Sequence, residues 1–163
     1  MKDAVVAETA MIADEVGRAL EGDAWHGPSI SEALASVDSA AAAARPIPGA
    51  HTIWEIVVHM TAWAREVERR LRERAHPLAD EDDWPVIGDK DAATWEGVKE
   101  GLRLAHARLR QTIREFSPVR LGDPVPIDGA RDEGSFYVML HGLVQHDAYH
   151  TGQIAMLKRA VGG

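Results

Sequence analysis

The chain has 163 residues, 45% of them hydrophobic and 27% charged, a length that suits one domain with its own core. Lys and Arg number 18 against 26 Asp and Glu, a formal net charge of -8. That balance excludes phosphate neutralisation as a way of working, so neither nucleic acid nor an anionic membrane surface is an expected partner. Cys is absent, which excludes disulfides, a thiolate nucleophile of the chain's own, a cysteine zinc site and an iron–sulfur cluster.

The N-terminal segment carries acids within its apolar pattern and reads as a helix rather than a signal peptide. Val5, Ile12, Val16 and Leu20, with Thr9 between, step by three and four along one helical face. Gly22 and then Gly27-Pro28 stop this helix. Ser29, with Glu32 three residues on, forms a capping box for a short helix reaching to Val37. Ala40 to Ala44 suits another helical turn, and Arg45 to Gly49 a rigid connector.

A second long helix is predicted from about Thr52 to Ala75, ended by Pro77. Its inward stripe is Ile56, His59 or Met60, Trp63, Val67 and Leu71. Arg65, Glu66, Arg69, Arg70, Arg72 and Glu73 are expected to face water. The acidic run Asp80 to Asp83 lacks the spacing of a calcium loop and reads as solvated loop.

The third long helix carries Trp95, Val98, Leu102, Ala105, Leu109, Thr112 or Ile113, and Phe116 on one face. Gly97 and Gly101, one turn apart, suggest close packing to a neighbour. Pro118 ends this helix, and a long loop rich in Pro, Gly and Asp runs from Ser117 to Glu133. The fourth long helix is predicted from about Gly134 to Ala160, striped by Phe136, Met139 or Leu140, Leu143, His146, His150, Ile154 and Leu157. Its uncharged stretch from Gly134 to His146 is too short to span a bilayer, which takes about 20 residues. No segment alternates like a strand. The expected class is all-α: a four-helix bundle with long crossover connections in a single domain over residues 1–163, cytoplasmic in location.

Eight histidines are the unusual count. His146 and His150 lie four apart, so both project from one helical face one turn apart. Two imidazoles so placed can reach one metal ion. His59 lies on the inward stripe of the second long helix, and packing of these two helices can bring it toward the pair. Two readings fit this pattern equally: a three-histidine metal site, or buried histidines satisfied by backbone and water. His26, His51 and His76 fall at loops or helix ends, with His26 and His51 available to line a rim. His106 is expected to point sideways from its helix, and His141 to another face.

The stretches Trp25 to Ser29, Arg45 to Trp63 and His141 to Leu157 resemble the DinB-like (DinB/YfiT) superfamily, over nearly the whole chain. The most specific part is the paired-histidine motif with Tyr149, Gly152 and Gln153, joined to the distant His59. The resemblance implies a four-helix bundle and one bound divalent metal, with His59, His146 and His150 as the ligands. Members of this superfamily include thiol transferases and a thiol-dependent isomerase. Three neutral imidazoles leave an ion's charge uncompensated and a position open for water or substrate. Such an ion can lower the pKa of bound water, giving hydrolysis, or hold a substrate thiol as thiolate.

The reading the resemblance favours is a metal-dependent thiol transferase that activates a low-molecular-weight thiol for attack on a small electrophile. The alternatives are a metal-dependent hydrolase and a non-catalytic, stress-associated bundle with a structural metal. Zinc or nickel best suits an all-imidazole site. Small-molecule substrates are the expected partners, together with a second copy of the chain as a homodimer. Glu55, one turn before His59, is a candidate to orient an imidazole or act as acid–base group, or else merely to favour its helix dipole. Tyr149 and Gln153 are candidates to bond a metal-bound ligand, and Trp63 to wall the pocket, each with a plain packing alternative. Asp147 points about 100° away from His146 in an ideal helix and makes a poor fourth ligand.

Overall fold

A computed structural model describes residues 7–128 and 134–162. The helices in chain order are α1 (Glu8–Glu21), α2 (Ile30–Leu34), α3 (Ser39–Ala43), α4 (Ile53–Arg72), α5 (Asp80–Asp83), α6 (Ala92–Glu115) and α7 (Phe136–Gly162), with a 3-10 turn at Pro118–Arg120 before the last. Among the described residues there is no strand, only isolated bridges at Ala75–Ile127 and Pro124–Ser135. The protein is an all-α bundle, and no described helix is long and apolar enough to cross a membrane.

The helix starts follow from local chemistry. At α2, the Ser29 hydroxyl accepts from the Glu32 N–H while Glu32 accepts from the Ser29 N–H. At α4, the Thr52 hydroxyl accepts from the Glu55 N–H at 3.1 Å, and Glu55 accepts from the Thr52 N–H at 2.7 Å. Each box satisfies two N–H groups that a helix start otherwise leaves open. Asp38 and Asp91 cap α3 and α6 in the simpler way.

The four long helices pack as a square. Helix α6 lies against α1 and α4, and α7 lies against the same two. Chain neighbours α1 and α4 therefore sit across a diagonal, as do α6 and α7, which is why both connections are long. The first crossing carries α2, packed on α1 and α7, and α3, packed on α4 and α6.

Several expectations need correction. Val5 lies outside the described residues, and α1 begins at Glu8. Helix α4 stops at Arg72, before Pro77, because Ala75 instead pairs with the second crossing: its N–H donates to the Pro126 carbonyl and its carbonyl accepts from the Asp128 N–H. The long loop before α7 is thus tied to the end of α4; residues 129–133 of it lie outside the described residues. Glu66 and Arg70 do not face water; both are buried, and Glu66 accepts from Arg70 Nε at 2.6 Å and from Arg69. Mutual pairing is what allows them inside. At Gly97 and Gly101 an added Cβ would meet nothing within 4 Å, so these glycines permit no close helix approach. The run Asp80 to Asp83 is a single helical turn rather than a loop.

The apolar interior forms two clusters. One gathers Ile12, Val16, Val67, Leu109, Ile113, Phe136, Leu140 and Leu143. The other gathers Leu20, Ile30, Trp54, Met60, Trp95, Leu102, Ile154 and Leu157. On α7, Leu143 belongs to the first and Ile154 to the second, with His146, Asp147, His150 and Thr151 between them. On α6, His106 stands beside Leu102 and Ala105, which belong to different clusters. A polar layer thus crosses the waist of the bundle, and each buried polar group in it needs a partner.

Candidate metal centre

His59 from α4 meets His146 and His150 from α7 in this layer, with ligating nitrogens all within 4.8 Å of one another. The ring centroids stand 4.4 to 5.0 Å apart. His59 Nε2 lies 2.9 Å from His146 Nε2. The three can hold a metal ion, and the partners of the outer nitrogens of His59 and His150 support that use.

His59 Nδ1 donates to the Asp83 backbone carbonyl at 2.7 Å, and Asp83 Oδ1 lies 3.1 Å from the same nitrogen. His150 Nδ1 donates to Gln153 Oε1 at 2.7 Å. A carbonyl oxygen only accepts, so each Nδ1 carries the proton and each Nε2 keeps a lone pair. These outer bonds fix tautomer and ring orientation as they do around metal-bound histidines. Burial, aided by His146 close by, lowers the pKa of His59 despite the opposing pull of Asp83. Burial and His146 lower His150 to about 4. Both rings are therefore neutral near pH 7, the form that binds metal.

The one-turn helix α5 supplies the outer wall. Asp83 accepts from Trp63 Nε1 at 2.6 Å as well as holding His59. The adjoining Trp84 stacks on His59 at 3.9 Å and on His51 at 3.6 Å, both within 7° of parallel. His59 and His150 are nearly closed off, whereas the His146 side chain is 25% exposed, so the centre opens on the His146 side. There it adjoins an apolar cleft of about 290 Å³ lined by Trp63, Val67, Arg70, Met139, Leu143 and His146. Around Gln153 a second cleft of about 430 Å³ carries His51, Ile56, Met156 and Leu157.

The other candidates divide. Gln153 bonds His150 directly, and Trp63 walls the cleft beside His146. Tyr149 is exposed, its ring edge-on to His150 at 5.1 Å. Glu55 is engaged elsewhere: its oxygens serve the Thr52 N–H and Arg45, and His51 lies 3.4 Å away. Partial burial pushes its pKa up, but those partners outweigh it and hold the carboxyl below its ordinary value. The geometry thus supports the cap rather than an acid–base role. His51 reaches the rim through Trp84, while His26 is exposed in a different cleft beside Trp25. His76 is exposed, and His141 faces Glu15 at 3.4 Å.

His106 turns inward rather than sideways. It is fully buried, and its Nε2 donates to Asp147 Oδ2 at 3.1 Å while its Nδ1 donates to the Leu102 carbonyl at 3.1 Å. Burial alone would lower its pKa, but the Asp147 carboxylate prevails and raises it. Asp147 likewise stays below its ordinary value, burial being overcome by His106. A signal for this existed in the sequence: Asp147 is the only Asp, Glu, Lys or Arg between Glu133 and Lys158. Nothing comparable marked Asp83 within its acidic run.

No curated protein and no solved structure matches the chain. The sequence model of the DinB superfamily matches residues 24–154, a span that contains all three histidines, the α5 wall and most of α7. With its all-α bundle and its histidine cluster, the chain belongs to the DinB superfamily.

Proposed function

We propose that this chain binds one divalent metal ion through His59, His146 and His150, and works as a transferase joining a small thiol to an electrophile. The observation that carries the reading is a set of three convergent imidazoles opening, at His146, onto an apolar cleft. Zinc or nickel suits such a donor set. When bound, the ion supplies a positive charge that favours thiolate over thiol.

The chain's own residues do the rest. Asp83 and Gln153 hold two rings with Nε2 facing inward. Trp63, Val67, Met139 and Leu143 offer apolar surface to the body of an electrophile and displace water from it. With no Cys in the chain, the sulfur nucleophile comes from a second substrate. The thiol gives its proton to solvent, its sulfur forms the new bond to the electrophilic carbon, and the leaving group departs with the bonding pair.

The test begins with metal content after untagged purification, for the wild type and for His59→Ala, His146→Ala and His150→Ala. About one ion per chain, lost in each variant, is the expected result. Cobalt-loaded protein is then titrated with a low-molecular-weight thiol, and a sulfur-to-cobalt absorption band is expected. Metal uptake without that band, together with ester turnover in the absence of thiol, would replace this reading with hydrolysis.

A further inference from the structure

We infer that Asp147, held in place by His106, is the positioning residue for His146. The inference rests on the metal-centre reading above and concerns hydrogen bonding within the waist of the bundle. Asp147 is fully buried. Its Oδ2 accepts from His106 Nε2, yet its Oδ1 has no hydrogen-bond partner. The other buried polar side-chain atom without one, among the described residues, is His146 Nδ1. These two atoms lie 3.9 Å apart.

The chemistry of the pair is complementary. A carboxylate oxygen only accepts, and an imidazole that presents Nε2 to a metal carries its proton on Nδ1. Closing 3.9 Å to a hydrogen bond takes a shift of about 1 Å, within the reach of a small ring rotation. If instead His146 donated Nε2–H to His59, its Nδ1 lone pair would face a buried carboxylate with no proton between them. That arrangement leaves two acceptors unsatisfied in a low-dielectric interior. Engaging Nε2 with a cation resolves both.

His106 has the matching task on the far side. Both of its nitrogens face acceptors, the Leu102 carbonyl and Asp147 Oδ2, so both carry protons and the ring is a buried cation. It anchors one carboxylate oxygen and leaves the other aimed at His146. Each ligand ring then has its own outer acceptor: the Asp83 carbonyl for His59, Gln153 for His150 and Asp147 for His146. Asp147, like the Asp83 carboxylate 3.1 Å from His59 Nδ1, brings negative charge to the outer side of a ligand ring.

The test uses zinc and the full chain. Dissociation constants are measured by chelator competition for the wild type, for Asp147→Asn and for the double variant His106→Asn with Asp147→Asn, beside the melting temperature of each metal-free protein. Weakening of about 10- to 100-fold is expected in both variants. A carboxylate serving only as a structural partner for His106 would lower the melting temperature and leave the affinity of the folded protein unchanged, which overturns the inference. The double variant buries no lone charge and stands in if the single one fails to fold. In zinc-loaded wild type, nitrogen NMR is expected to show a slowly exchanging proton on His146 Nδ1, and its absence also overturns the inference. Wild type that takes up no zinc would remove the metal centre itself, an outcome distinct from tight binding unaffected by the substitutions.

Discussion

Acid should loosen the metal-free fold through His150, and the size of the effect follows from its surroundings. Burial and the nearby His146 hold its pKa at about 4, whereas a histidine in an unfolded chain titrates near 6.5. The unfolded state thus binds the proton first. The stabilising contribution is fully present above about pH 6.5 and drains away as the pH falls toward the folded value. Between about pH 7.5 and about pH 5 the linkage integrates to ~2 kcal/mol, reduced to ~1–2 by the solvent that reaches the site from the His146 side. His106 acts in the opposite sense: with its pKa raised it contributes fully below about pH 6.5 and loses its contribution as the pH rises through its folded value. Comparing the wild type with His150→Gln cancels that opposing effect. Urea unfolding of chelator-treated protein at the two pH values is the assay. The wild type should lose ~1–2 kcal/mol more than the variant over the interval. Equal losses would refute the assignment of a neutral, acid-sensitive ring to His150.

Gln153→Ala removes the acceptor that orients His150, and zinc affinity in chelator competition should fall at least about tenfold. Trp95→Phe leaves the Val37 carbonyl without the indole N–H that reaches it at 2.7 Å; urea unfolding should show a cost of about 1–3 kcal/mol with zinc affinity unchanged. Thr52→Ala should cost about 1 kcal/mol through the lost cap, again without effect on zinc. A Glu55→Gln variant that lost metal binding while staying folded would return that carboxylate to the centre.

The long helices were legible because each buries one continuous face, and Leu102, Leu109 and Ile113 recur at the spacing that requires. The His146 and His150 pairing follows from the same geometry, four residues being one turn. Periodicity fixes facing only within tens of degrees, so it leaves His106, next to a core position, on the side of its helix. Its partner Asp147 is 41 residues away on another helix, and no local rule joins them. Glu66 and Arg70 are charged and lie off the apolar stripe, which points them to water, yet their mutual ion pair lets them sit inside. Helix α5 escaped because four consecutive acids look like any solvated run. Its order comes from what Asp83 reaches, not from its own composition.

Helix α5 contributes no buried residue of its own, so the segment around it rests on a few contacts, with Asp83 and Trp84 seated against His59. Removing the His59 ring therefore deletes more than a nitrogen donor. It takes away the bond to the Asp83 carbonyl and one of the two rings on which Trp84 stacks, leaving the stretch between α4 and α6 held there by Trp63 and His51 and easier to open. Removing the His150 ring unseats only Gln153 and edge-on ring contacts. The histidines are thus unequal in what they hold up, and trypsin should cut a His59→Ala chain at Arg74 or Lys90, flanking α5, faster than a His150→Ala chain.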